Sequence, residues 1–120
     1  MEKSLNEKQY IGVVPLAGER YDNSFKVFDV GGDSMSPTLN PGAMFLAKEV
    51  PERLWGSLTG VVVVICDRKI LVRRIATNLF NENGTITLIA DNNVFPSIVL
   101  NMDKITAMFK AIRIIHQYIE

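Results

Sequence analysis

The chain has 120 residues, 48% of them apolar and 22% charged, which suits one domain around one hydrophobic core. That composition excludes intrinsic disorder, collagen-like repeats and coiled coil. Thirteen basic and thirteen acidic residues cancel, so the chain lacks the basic excess with which a domain grips nucleic acid unaided.

Residues 1–9 are polar and read as a flexible lead-in or linker stump, without the apolar stretch of a secretion signal. No run approaches the ~18 apolar residues of a membrane span. The expectation is a cytoplasmic protein with no membrane partner. Residues 10–120 read as one domain in which short apolar runs alternate with turn residues, the pattern of a mostly β fold. Tyr10 to Leu16 is a first strand, ended by Ala17-Gly18-Glu19, and Ser24 to Val30 a second, ended by Gly31-Gly32. Pro41-Gly42 suits the central positions of a type II turn, which Ala43 to Lys48 leaves as a strand. Val61 to Ile65 is β-branched throughout and predicts a strand buried on both faces. Asp67-Arg68-Lys69 then makes a polar turn, and Ile70 to Ile75 returns as the hairpin partner. Asn81 to Gly84 is another turn, followed by the alternating strand Thr85 to Ile89. Asp91-Asn92-Asn93 reads as a turn before an extended segment from Val94 to Leu100. Near the C-terminus Ile105, Met108, Phe109, Ile112, Ile115 and Ile119 recur at helical spacing, with Asn101 or Asp103 available as a cap.

Isolated candidates for chemistry are few. Cys66 stands alone, so it has no disulfide or zinc partner, and its apolar neighbours make it a core residue. His116, the only histidine, has no acidic or metal-ligand spacing and reads as a partly exposed strand residue. Trp55 reads as packing over the end of the domain. No metal or cofactor is expected. One segment stands apart, running from Val30 through Gly31-Gly32-Asp33-Ser34-Met35-Ser36-Pro37-Thr38 to Gly42. Two glycines allow a tight bend and close backbone approach, so Ser34 would stand on a turn with its hydroxyl presented beside backbone N–H groups. Serine and glycine crowd into turns generally, so these residues alone favour a loop that merely ends a strand.

Gly32-Asp33-Ser34-Met35-x-Pro37-Thr38, followed by Pro41-Gly42 and a strand, resembles the serine box of the LexA-type self-cleaving repressors. That group includes the phage CI-like repressors, the UmuD-like mutagenesis proteins and, more distantly, the signal peptidases. Thr59-Gly60 with Val61 to Val64 is similar to the family's glycine-valine strand, and Leu88-Ile89-Ala90-Asp91-Asn92 to its Leu-x-x-x-Asn segment. Val72-Arg73-Arg74-Ile75 stands where the family carries Val-Lys-Arg-Leu. The resemblance implies a compact domain of short strands and hairpins, with strand rather than helix over residues 105–118.

It also implies Ser34 as nucleophile and a neutral lysine as its general base. Arg73 occupies the lysine position, and a guanidinium has no acceptor lone pair and a pKa above ~12, so it cannot take the proton. Arg73 can instead hydrogen-bond Ser34 or an acid such as Asp33 and keep the pocket's shape. Among other lysines, Lys69 shares Arg73's face but lies ~13 Å along the strand, at a rise of ~3.3 Å per residue. Lys48, after the serine loop, would have to curl back. Ala17-Gly18 has the residue types of the family's cleaved bond but lies nearer the serine than that bond normally does, and reads as a turn. The expectation is a regulatory and dimerising repressor domain, linked to the SOS response, with self-cleavage lost through Arg73. It would be a homodimer through apolar residues around Met102 to Ile115, would meet DNA through a helix-turn-helix domain absent from this chain, and would have a recombinase filament as candidate partner. The alternative is an active self-cleaving serine peptidase of the LexA/UmuD type.

Overall fold

A computed structural model of the chain describes residues 22–117 together with the pair Glu7–Lys8. The candidate strand Tyr10 to Leu16 and the pair Ala17-Gly18 lie outside the described residues. Eight strands form one antiparallel sheet: β1 (Glu7–Lys8), β2 (Phe25–Asp29), β3 (Met44–Val50), β4 (Val61–Cys66), β5 (Lys69–Leu79), β6 (Thr85–Ile89), β7 (Ile98–Asn101) and β8 (Ile105–His116). Their order is β1-β2-β3-β8-β4-β5-β6-β7. A four-residue helix, α1 (Phe80–Asn83), and 3-10 turns at Glu52–Ser57 and Met102–Lys104 are the helical elements described. The fold is mostly β, as the sequence predicts. Among the described residues no helix is long and apolar enough to cross a membrane.

β4 explains why the sheet has a core on each side. Successive side chains leave opposite faces of a strand. Val63 and Ile65 join Phe28, Phe45 and Phe109 in one cluster, where the Phe28 ring lies 5.9 Å from Phe45 and 5.0 Å from Phe109. Val62, Val64 and Cys66 join Trp55, Leu88 and Met108 in the other. Each fully buried valine contributes about 1.5–3 kcal/mol of transfer free energy, which is why an unbroken β-branched run belongs here. Cys66 is a buried packing residue, and burial pushes its thiol pKa up.

The same two-sided burial accounts for the helix-like spacing near the C-terminus. β8 lies between β3 and β4, so the adjacent residues Met108 and Phe109 are both buried, one in each core. A register shift between Ile65 and Cys66 opposite Ile105–Ala107 removes the plain alternation expected of a strand. Past the start of β4, beyond the Val62–Lys110 pair, Ile112 and Ile114 are exposed. Spacing that mimics a helix is therefore the signature of a central, bulged strand.

Three boundaries differ from the sequence reading. The β4–β5 turn is Asp67-Arg68 alone, with φ of 48° and 64°, and Lys69 already pairs with Cys66 as the first residue of β5. Two left-handed central residues match the strand twist of a tight hairpin. β5 continues past Ile75 to Leu79 because β6 pairs with that extension across a register shift. The extended segment expected from Val94 begins only at Ile98. Before it, the Val94 N–H donates to Asn92 Oδ1 (3.3 Å) and the Phe95 N–H to the Asn92 carbonyl (3.1 Å), so an asparagine-led turn takes those residues.

Candidate active site

The serine loop is an excursion between β2 and β3 that is closed at its base. The Val30 N–H donates to the Ala43 carbonyl and the Gly42 N–H to the Val30 carbonyl, each at 2.9 Å. Pro41-Gly42 makes the expected turn, with Gly42 at φ 88° and the Ala43 N–H on the Asn40 carbonyl. Met35 and Leu39 are buried and pin the loop to the Phe28 core, and the Leu39 N–H donates to the Met35 carbonyl at 2.8 Å. Ser34, next to the Met35 anchor, is left half-buried at the loop's outer side. Gly31 and Gly32 are exposed, neither has a left-handed φ, and a Cβ on either would meet nothing within 4 Å. The bend and close approach anticipated for them are therefore not what they provide. They leave the space beside the loop open.

β5 brings Arg73 to this serine. Arg73 Nη1 donates to Ser34 Oγ and to the Val72 carbonyl, both at 2.9 Å. The guanidinium lies 5.9 Å from the centre of the Phe95 ring. Its Nε is buried without an acceptor. Burial pushes the Arg73 pKa down, yet a guanidinium starts so high that it stays a cation at any ordinary pH. Of the two partners anticipated for Arg73, the structure pairs it with Ser34. Lys48 is exposed with its Nζ 5.2 Å from the Phe25 ring centre, and Lys69 is exposed at the start of β5. Among the described residues Arg73 is the one hydrogen-bond partner of Ser34 Oγ.

Arg74, one residue on, leaves the opposite face of β5 and also reaches the serine-loop surroundings. Its Nε and Nη2 donate to the two carboxylate oxygens of Asp91 at 2.8 and 2.7 Å, a bidentate pair. The Thr38 hydroxyl donates to the same carboxylate. The Arg74 hydrogen bonds hold the Asp91 carboxyl below its usual range against the opposing effect of burial, with Thr38 adding to the same direction. Asn92 completes the clasp: its N–H donates to the Ser34 carbonyl at 2.9 Å and its Nδ2 to the Asp33 carbonyl at 3.2 Å. The β6–β7 connection therefore fixes the backbone on both sides of Ser34. The sequence reading has Asp91-Asn92-Asn93 as a turn, with Asp91-Asn92 in the family's Leu-x-x-x-Asn segment and Thr38 in the serine box, and assigns neither Thr38 nor Arg74 a contact. The signal for Asn92 was its place in the Leu-x-x-x-Asn segment, whereas nothing local in the sequence pairs Arg74 with Asp91.

The other candidates stay apart from this cluster. Trp55 is buried in the 3-10 turn after β3, its Nε1 donating to the Val50 carbonyl at 2.8 Å and its ring edge-on to Phe80. His116 is exposed at the end of β8. Among the described residues no three His, Cys, Asp or Glu side chains are grouped to hold a metal.

A serine held rigidly on a loop, against a basic side chain from a neighbouring hairpin strand, is the layout of a serine peptidase-like β domain. The family model described as Peptidase S24-like matches residues 2–112, and the chain belongs to that family, the LexA/UmuD type that its serine box resembles. No curated protein sequence matches the chain.

Proposed function

We propose that this chain is the regulatory and dimerising domain of a LexA/CI-like transcriptional repressor whose self-cleavage has been lost. One observation carries the loss: the atom 2.9 Å from Ser34 Oγ is a guanidinium nitrogen that donates a hydrogen bond. A general base must offer a lone pair to the serine proton, and Arg73 offers none. Serine, loop and clasp give a peptidase-like layout in which no described residue accepts the Ser34 proton. DNA recognition would belong to a helix-turn-helix domain, which accords with the zero net charge. Pairing of two copies would use the exposed Met102, Ile112 and Ile114. Incubating the chain at alkaline pH, with and without activated recombinase filaments, and weighing the products by mass spectrometry tests the loss. The chain should stay intact. Fragments that disappear in Ser34→Ala would instead establish an active self-cleaving peptidase.

A further inference from the structure

We infer that Ser34, Arg73 and Phe95 form a binding site for a ligand that carries one carboxylate next to an apolar group. The cluster is rich in donors and poor in acceptors. Both Nη1 protons of Arg73 are used, on Ser34 Oγ and the Val72 carbonyl. Nη2 has no hydrogen bond among the described residues, and Nε is enclosed with no acceptor. Because Ser34 Oγ accepts from Arg73, its own proton points elsewhere and is available to a ligand.

The charge is unbalanced as well. Arg74 is ion-paired with Asp91, whereas Arg73 is half-buried with no carboxylate partner among the described residues. Asp33, the acid nearest to Ser34 in sequence, is exposed and its carboxylate makes no ion pair with Arg73. A partly desolvated guanidinium lowers its free energy by taking an anion, and its planar donors match the two oxygens of a carboxylate. One cation calls for one negative charge, so a carboxylate matches where a phosphate dianion would leave excess charge beside Asp33 and Asp91. The Phe95 ring supplies an apolar wall, its centre 5.9 Å from the guanidinium. The ligand's oxygens would take the Nη2 and Ser34 protons. This inference rests on the reading of Arg73 as a replaced base.

Two sources offer such a group, a small organic acid and the free C-terminus of a peptide. The test uses the full chain labelled with nitrogen-15 and follows the Arg73 Nε–H resonance, assigned by its loss in Arg73→Lys. The chain is titrated separately with acetate, with acetyl-glycyl-leucine as the free acid, with the same peptide as its amide, and with inorganic phosphate. The free acid should shift the resonance at millimolar concentration while the amide does not. An equal response to acetate assigns the site to small acids, and a response to the peptide acid alone assigns it to chain ends. Ser34→Ala should weaken binding by ~10-fold, the value of one hydrogen bond to a charged group. Arg73→Met should abolish it, followed through neighbouring backbone amides that also report whether the fold is kept. Equal binding of acid and amide, a response to phosphate alone, no response to either acid, or unchanged binding in Arg73→Met would overturn the inference. Ser34-dependent fragmentation of the chain would overturn the silent-peptidase reading separately.

Discussion

Arg73 and Arg74 are one peptide bond apart on the same strand and occupy opposite electrostatic situations. Arg74, with 40% of its side chain exposed, holds a bidentate carboxylate. Arg73 is half-buried, touches a serine and a carbonyl oxygen, and has a buried Nε without an acceptor. The arginine that water would already serve well has the counterion, and the one that burial penalises has none among the described residues. A stabilising role explains Arg74, because its pair with Asp91 ties β5 to the β6–β7 connection and, through Thr38, to the serine loop. Arg73 also ties β5 to the serine loop, but through Ser34 Oγ, so its contact falls on the candidate nucleophile itself. The difference separates a residue kept for holding the site together from one whose value lies in the site itself.

Substitutions can break that contrast. The largest effect is expected from Arg73→Lys, which puts a titratable amine where the guanidinium stands. General-base catalysis contributes ~100-fold or more, so labelling of Ser34 by a fluorophosphonate at high pH should rise by about that factor. Arg74→Lys should leave labelling at the wild-type level. A matched result for the two would mean that position 73 has no special access to the serine.

Next in size, Asp91→Ala removes the acceptor shared by Arg74 and Thr38 and should cost ~2 kcal/mol in thermal or urea denaturation. Arg74→Met should cost about 1 kcal/mol, discounted because the pair is partly solvated. Arg73→Met removes two hydrogen bonds together with a half-buried charge that has no carboxylate partner among the described residues, opposing effects that should change stability by under ~0.5 kcal/mol in either direction. If Arg73→Met were the more damaging of the two, the contrast drawn above would be wrong.

The smallest effect is the pH dependence of the clasp. The Asp91 carboxyl is held below its unfolded value, so its stabilisation is complete above that value, near pH 4, and is lost as pH falls through the lower folded pKa. The stability gap between wild type and Arg74→Met should therefore persist from neutral pH to about pH 4 and close on further acidification. Denaturation midpoints of both proteins across that range measure it.

Much of the strand layout was legible because β-branched runs and turn residues are local signals. The buried run at Val61 to Ile65 and the alternating segment Thr85 to Ile89 announced β4 and β6 by composition alone. The C-terminal strand was not legible from its own residues, since Met108 and Phe109 serve different cores and their periodicity points to a helix. Only resemblance to a family corrected that. Ser34 and Arg73 could be named from the serine box and from the Val-Arg-Arg-Ile segment, thirty-nine positions apart. The clasp could not, because Thr38 meets Asp91 across 53 positions and Arg74 meets it across 17. Such pairs are decided by how the loops fold over the sheet, which single-residue chemistry does not encode.

The place of β8 has a kinetic consequence. It is the last of the eight described strands, yet it lies between β3 and β4. Until it emerges during synthesis, the β1-β2-β3 and β4-β5-β6-β7 ribbons share no strand-to-strand ladder, and each presents a naked apolar edge. Closure must then bring Val50 opposite Met108 and Cys66 opposite Ile105 in the same event, over long sequence separations. Non-local pairing of this kind slows folding and lengthens exposure to aggregation. The protein's vulnerable moment is thus the interval before its final strand arrives.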